Sequence, residues 1–478
     1  MGSRSLPPAA GAYLLSLLSP RRRWATYGSR RGRARGPREV CLSDEETEPR
    51  EGGAILVGLY VPGCVPSPDE RLEELGGLVA AAGAEVAGAV WQPGLKDGVP
   101  RSPATWIGKG KLEEVAAMVE QLDAGMVVFD SELSPAQIRN IEQELGTRVL
   151  DRSELILDIF AGRARTRAAV LQVELAQLEY TAPRLRGMWT HLARQAGAAG
   201  GIVGGRGPGE KQIEIDRRIV GRRVAKLKAE IAQIQERRAR VVQSRGNFTV
   251  GLVGYTNAGK TTLLDALTGA GVGGEDALFA TLDTLSRKWA LGDGLDVVLS
   301  DTVGFVRDLP HHLVASFRAT LEEAVHADLR LHVIDAAHPL VIDQMYAVRQ
   351  VLEDLGCDPN LTVSVINKVD AADPGALAEL RIAAQSDAQG APFPHGGVVE
   401  VSAVSGQGLE SLVALVAGRA REGWVHIDVI EAAANGQLRA FAHEHGVVRG
   451  ERFEESSWIA EVELPRRYVD AFERLRVL

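Results

Sequence analysis

The sequence predicts an α/β protein built from several units, and three observations carry that reading. A glycine-rich turn, Gly254-Tyr255-Thr256-Asn257-Ala258-Gly259-Lys260-Thr261-Thr262, follows an apolar run at Phe248 to Val253 and precedes a helical pattern at Leu263 to Leu267. From Ala54 onward, short apolar strands alternate with helical patterns, the rhythm of a parallel sheet. Beyond Gly423 the patterns run strand, helix, strand, helix, which suits a small α+β unit of ferredoxin type. At 478 residues and roughly 150 per domain, about three cores are expected. The boundaries expected are a basic tail at 1–50, an N-terminal parallel α/β domain at 51–160, a helical hairpin with a glycine-rich loop at 161–246, a nucleotide-binding α/β domain at 247–422 and the α+β unit at 423–478.

Composition narrows the function classes. No apolar run approaches the roughly 18 residues that span a bilayer, so stable membrane insertion is not expected. Cys41, Cys64 and Cys357 are scattered without metal-ligand spacing or a disulfide framework, which suits a reducing compartment. Net charge is −9, yet the first 38 residues hold nine arginines and no acid, so the remainder is more acidic still. Contact with a polyanion therefore has to come from a local basic surface. The segment Met1 to Arg50 mixes Pro, Gly, Ser and Arg and reads as disordered. It fits either a mitochondrial transit peptide or a basic extension produced by the Ala, Gly and Arg bias of the whole chain, and the second is preferred.

In order along the chain, Ala54 to Tyr60 reads as a buried strand, Pro68 to Ala82 as a helix and Glu85 to Trp91 as a strand. Lys111 to Leu122 then reads as a helix, Met126 to Phe129 as a strand, Ser134 to Leu145 as a capped helix and Thr147 to Leu150 as a last strand. Within this unit Trp106-Ile107-Gly108-Lys109-Gly110-Lys111 fits an anion site at a helix start or, at least as well, a turn with exposed lysines. Ala168 to Tyr180 is a helical pattern, followed by a loop from Gly187 to Gly209. Ile213, Val220, Val224, Leu227, Ile231, Ile234 and Val241 then recur as a coiled-coil-like seam, so two helices joined by a long loop are expected to form a hairpin. Residues 211–240 hold ten Lys or Arg against four Asp or Glu, with doublets at Arg217-Arg218, Arg222-Arg223 and Arg237-Arg238. Such a face is either solvated or bound to phosphate backbone, and composition does not choose.

The glycine turn is read as a phosphate-binding loop. Gly254 and Gly259 bracket four residues, so backbone amides can wrap a phosphate chain while Lys260 reaches the outer phosphates and Thr261 holds magnesium. Phe279-Ala280-Thr281-Leu282-Asp283 lies in an expected loop, where Thr281 can close on the same metal. A strand at Val297 to Leu299 delivers Asp301-Thr302-Val303-Gly304, whose carboxylate can hold magnesium through water and whose Gly304 amide can sense the terminal phosphate. Val363 to Ile366 delivers Asn367-Lys368-Val369-Asp370, and Asp370 can accept from the guanine ring and exocyclic nitrogens, which adenine cannot match. Val399 to Val401 leads into Ser402-Ala403-Val404, where the amide of the Ser-Ala pair can donate to the guanine oxygen.

These motifs in this order resemble the translation-factor-related P-loop GTPases, and the chain from 54 to 422 is similar to one family among them, HflX. The likeness rests on Gly254 to Lys260, Phe279 to Asp283, Asp301 to Val306, Leu155-Ile156-Leu157-Asp158-Ile159-Phe160 and Arg206-Gly207-Pro208-Gly209-Glu210. It implies a cytoplasmic, monomeric protein that binds GTP with Mg2+ and hydrolyses it through Lys260, Thr281 and Gly304, and that binds the large ribosomal subunit and its RNA to separate ribosomal subunits under stress. A mitochondrial matrix location would follow if the leader were a transit peptide. A GTPase of ribosome assembly or RNA modification is the alternative, and a membrane-associated switch has no use for a basic arm. One departure is that the family's Asp-Pro-Thr reads Asp283-Thr284-Leu285 here, without the proline that stiffens the loop exit. A second, mild departure is Gly209-Glu210-Lys211-Gln212-Ile213-Glu214 against the family's Gly-Glu-Thr-Gln-Leu-Glu. The residue after Gly304 is apolar Phe305, where many relatives place a glutamine that orients the attacking water, so slow hydrolysis by the isolated protein is expected.

Overall fold

The computed structural model describes residues 52–63, 66–94, 99–182, 208–245, 248–271, 278–279, 285–292, 294–307, 325–386 and 396–476, with the side chains of 208–217, 235 and 238–245 excepted. The expected basic tail at 1–50 and the glycine-rich loop up to residue 207 lie outside the described residues, while Pro208 and Gly209, expected in that loop, begin a helix. Those that are described fall into two compact units, one running up to Gln235 and including Leu278 and Phe279, the other taking the rest.

In the first unit the elements are β1 (Ala54–Tyr60), α1 (Pro68–Ala81), β2 (Val86–Pro93), α2 (Lys109–Gln121), β3 (Met126–Phe129), α3 (Pro135–Leu145), β4 (Arg148–Asp151), α4 (Arg152–Arg163), α5 (Arg167–Thr181) and the first part of α6 (Pro208–Arg245). The strands form a parallel sheet in the order β2-β1-β3-β4. Its helices start where the sequence signals them: Ser67 and Ser134 each form a capping box, with Glu70 and Gln137 respectively, ahead of a proline in the first turn. The Gly108 to Lys111 stretch is the N-cap and first turn of α2, where Gly108 donates its amide to Gln92 and Lys109 and Lys111 pair with Glu113 and Glu114 of the same helix.

At the carboxyl ends of β1 and β3, where the strand order reverses, the crevice is closed by the protein's own polar groups. Tyr60 donates to Asp130 at 2.7 Å, and Arg152 at the start of α4 donates to Asp130 and Glu74. Burial and the Asp130 carboxylate together push the Tyr60 phenol well up, so it stays a donor.

Helices α5 and α6 pack against each other along the expected seam, with Val220, Leu227 and Ile231 buried. The Arg222-Arg223 doublet splits between two faces. Arg223 makes a bidentate pair with Glu174 of α5 at 2.7 Å, while Arg222 is exposed. Arg218, Lys226, Lys228 and Arg237 are also exposed, with Lys228 paired to Glu179 of α5 at 2.8 Å and Lys226 to Glu230 at 3.9 Å. Phe279 is buried in the same unit at φ 57°, edge-to-face on Phe160 of α4 with ring centroids 4.6 Å apart. Leu278 beside it rests on α1 at Gly77, where an added Cβ would come within 3.0 Å of its side chain.

The second unit contains β5 (Thr249–Gly254), α7 (Lys260–Thr268), β6 (Leu285–Ala290), β7 (Asp296–Asp301), β8 (Leu329–Asp335), α8 (Val341–Asp354), β9 (Thr362–Asn367), α9 (Pro374–Ala384), β10 (Gly397–Glu400) and α10 (Leu409–Ala420). They build a six-stranded sheet in the order β10-β9-β8-β5-β7-β6, parallel except for β6. The strands β5, β8 and β9 are buried on both faces over most of their length, as helices on each side require, and β8 carries Arg330 and His332 among its buried residues. Because β7 lies on one side of β5 and β8 on the other, the order reverses at β5, and its carboxyl end is where such sheets open a ligand crevice.

The same unit ends in β11 (Trp424–Ala432), α11 (Gly436–His445), β12 (Val447–Glu454), β13 (Ser457–Pro465) and α12 (Arg466–Arg476). The sheet is antiparallel in the order β11-β13-β12, and Leu438, Ala442 and Phe472 of the helices join Trp458, Ala460, Val462 and Leu464 in one core. Two expectations need correction. The sequence reads Val425 to Ile430 as a strand and Glu431 to His443 as a helix, but the helix begins at Gly436, because β11 continues to Ala432 and Asn435 supplies the cap by accepting from the Leu438 amide. Strand β12 went unnoticed because its exposed Arg449-Gly450-Glu451-Arg452 stretch has no apolar alternation. Among the described residues, no helix is long and apolar enough to cross a membrane.

Candidate nucleotide site

The phosphate loop leaves β5 at Gly254, where a Cβ would lie 2.3 Å from the Val333 carbonyl oxygen of the neighbouring strand, so only glycine fits. Asn257 and Gly259 take φ values of 61° and 87°, and Gly259 is the N-cap of α7, whose first-turn amides are unpaired in the helix. Ala258 is buried beneath the loop. Lys260 is only 7% exposed, and its ammonium donates to the carbonyls of Gly254 at 3.1 Å and Tyr255 at 2.7 Å. Burial lowers its pKa to about 8, against the pull of the Asp301 carboxylate. A cation held dry beside a helix N-terminus suits an anionic ligand.

From the end of β7, Asp301 is fully buried and accepts from the Thr261 hydroxyl at 2.7 Å. Thr302 fixes the strand end by donating to the Leu252 carbonyl at 2.6 Å, and Val303 is buried. The loop that follows is stitched to the phosphate loop. Thr256 donates its amide to Phe305 at 2.7 Å, Phe305 returns its own to Gly254 at 3.1 Å, and Tyr255 accepts the Arg307 amide on its hydroxyl at 2.6 Å. Gly304 sits at the crossing, where a Cβ would meet Thr256 Cγ2 at 2.7 Å and Lys260 Nζ at 3.1 Å. Phe305 is 3% exposed in an apolar cluster with Val253, Tyr255, Val348, Leu352 and Cys357. The residue after Gly304 thus points into the core, away from any reacting water.

The other end of the site is tied together by Asn367 at the end of β9. Its Nδ2 donates to the Ala258 carbonyl at 2.9 Å, and its Oδ1 accepts the Ala403 amide at 3.1 Å. A Cβ on Gly259 would fall 2.5 Å from Asn367 Nδ2, so the glycine admits this approach. Lys368, at φ 62°, pairs with Asp335 at 2.7 Å, and the Val369 amide faces the Val401 carbonyl at 3.4 Å. Asp370 is exposed, Ser402 is buried and accepts the Ser405 amide, and Val404 stands 83% exposed.

Most of the residues singled out in the sequence therefore meet at the carboxyl ends of β5, β7 and β9. Three placements differ or fall outside. Ala280, Thr281, Leu282 and Asp283 lie outside the described residues. Phe279 packs on Phe160 in the first unit, so its ring serves as an anchor and touches no part of the phosphate loop among the contacts described. The Ala403 amide, expected to face a base oxygen, is given to Asn367. Sequence reasoning missed the side-chain role of Tyr255 and the Asp335 partner of Lys368, which lies 33 residues away on another strand and has no motif of its own.

Family models match the chain in three stretches, described as GTP-binding GTPase N-terminal at residues 69–161, GTP-binding GTPase Middle Region at 163–245 and 50S ribosome-binding GTPase at 249–368. The chain is 42% identical over 397 residues to the GTPase HflX of Lacrimispora saccharolytica, covering 82% of this chain and 89% of that one. It is 41% identical to GTPase HflX of Magnetococcus marinus, covering 84% and 90%, and 45% identical to that of Escherichia coli, covering 66% and 73%. With that likeness extending across both units, the chain belongs to the HflX family of GTPases, and binds and hydrolyses GTP.

Proposed function

We propose that this GTPase acts on the large ribosomal subunit, holding ribosomal RNA with the basic helix α6, and that it splits or rescues stalled ribosomes in the cytoplasm as a monomer. One observation carries the reading: α6 turns Arg223 toward Glu174 of α5 and presents Arg222 and Arg237 at the surface. The pair with Glu174 accounts for Arg223, and contact with RNA phosphates gives the exposed arginines a use. The description 50S ribosome-binding GTPase, attached to the family model over 249–368, supports the same partner. The working domains are 51–160, 161–246, 247–422 and 423–478.

In this reading the Gly254 to Lys260 loop binds the phosphates, Asp370 selects guanine, and Gly304 meets the terminal phosphate. Mg2+ fits the Thr261 hydroxyl and the Asp301 carboxylate, which already share a hydrogen bond and offer the hard oxygen ligands that ion takes. When bound, the ion neutralises charge on the phosphate oxygens. Lys260 adds a fixed cation, and the stitched loops exclude water from the side away from solvent.

Cosedimentation with large subunits in the presence of a non-hydrolysable GTP analogue, GDP or no nucleotide tests the partner. Binding in the GTP-analogue state, lost in rising salt, is expected. Arg217→Glu with Arg222→Glu should weaken it while leaving GTP binding intact, and pelleting of that variant at unchanged salt dependence would contradict the role given to α6.

A further inference from the structure

Thr256 is 6% exposed, and its hydroxyl oxygen is buried without a hydrogen-bond partner. A buried hydroxyl left without a partner is destabilising, so its retention in a tight loop calls for an occupant that satisfies it. Its surroundings say what that occupant is. The Thr256 amide is held by the Phe305 carbonyl, which fixes the backbone, and branching at Cβ restricts the side chain. Its Cγ2 and Cα lie 2.7 and 2.9 Å from the point a Gly304 Cβ would occupy, and Lys260 Nζ lies 3.1 Å from that same point. Thr256 therefore borders the place where Gly304 and the Lys260 ammonium converge. Phe305, packed in the core, leaves this place without the polar side chain that the position after Gly304 often supplies.

We propose that the Thr256 hydroxyl donates a hydrogen bond to an oxygen of the terminal phosphoryl group of bound GTP. It is then a catalytic residue that also separates triphosphate from diphosphate. The proposal rests on the phosphate-site reading given above. During hydrolysis a water oxygen bonds to the terminal phosphorus, and the bond from that phosphorus to the bridging oxygen breaks with its electron pair remaining on GDP. A water proton passes to the released phosphate. Thr256 keeps its own proton throughout and stabilises the charge spread over the phosphoryl oxygens.

The test compares the full chain with Thr256→Val and Thr256→Ser. Valine keeps the branched shape and the methyl against Gly304 without the hydroxyl, and serine keeps the hydroxyl without the methyl. Equilibrium binding of GDP and of an imido analogue of GTP is measured alongside single-turnover hydrolysis. The valine variant is expected to hold GDP within about twofold while losing roughly tenfold or more in analogue affinity and in rate, the loss of one hydrogen bond to a charged group. The serine variant should recover both. Equal losses for GDP and analogue in the valine variant, or a serine variant that behaves like valine, would show a packing role and overturn the proposal. Thermal melting of each variant separates misfolding, in which case the serine variant alone decides through its ratio of analogue to GDP affinity. A wild-type chain that binds neither nucleotide would instead refute the phosphate-site reading, and the proposal with it.

Discussion

The two ends of the nucleotide site follow different rules. At the base end a single side chain, Asn367, bridges the phosphate loop and the Ser402-Ala403 turn with two hydrogen bonds, so the pocket wall is complete before any ligand arrives. The phosphate end instead keeps a buried cation with a lowered pKa and a hydroxyl with no partner. One end is pre-organised, and the other holds a cation that rests on the loop's own carbonyls beside a buried hydroxyl that they do not satisfy. In the proposed reading, recognition of the base and the Lys260 cation contribute to every nucleotide state alike, while discrimination between states belongs to Thr256 and Gly304.

The largest expected effect breaks the phosphate end. Lys260→Ala should weaken GDP and GTP on the order of 100-fold by removing a charge-assisted contact from a dry site, as read by equilibrium titration. Phe305→Gln comes next and acts on stability. Burying an amide in the apolar cluster of Val253, Tyr255 and Leu352 should cost about 3 kcal/mol in chemical denaturation without speeding turnover. A rate gain would mean that the side chain leaves the core when the loop is charged with nucleotide. Asn367→Ala should weaken GDP and GTP analogue equally, roughly tenfold, since it leaves the Ala258 carbonyl and Ala403 amide without this partner in both states. An unequal loss would blur the division between the two ends.

The smallest effect is a pH dependence with two opposite signs. The Lys260 pKa is lowered from 10.5 to about 8 in the folded chain, so between those values the unfolded chain holds more protons and this residue's destabilising effect fades as the pH rises. Phosphate binding requires the ammonium. GDP affinity should therefore fall above pH 8, by up to about tenfold per pH unit, while the melting temperature receives a small favourable contribution from the same group.

Much of this arrangement was legible in the sequence, for reasons that can be named. The phosphate loop, the Asp301 and Asn367 motifs and the strands that carry them are local patterns, in which a glycine, a strand and a charged residue must sit at fixed offsets. Contacts that join distant segments left no such mark. The Tyr255 to Arg307 hydrogen bond, the Lys368 to Asp335 pair and the seat of Phe279 on Phe160 each depend on where separate strands and helices end. The basic helix shows the same limit: its seam was periodic and readable, but which arginine of the Arg222-Arg223 doublet turns inward depended on Glu174 of α5. Strand β12, charged and mostly exposed, had no periodic signal to read.

The central claim is that the exposed Asp370 carboxylate, beyond the rigid Asn367 bridge, selects guanine. Titration of the wild-type chain and Asp370→Asn with GDP and xanthosine diphosphate tests it most directly. An amide donates where the carboxylate accepted, so the variant should lose GDP by roughly 100-fold and gain the xanthine nucleotide. Unchanged GDP affinity in the variant, with no gain for xanthosine diphosphate, would contradict the account.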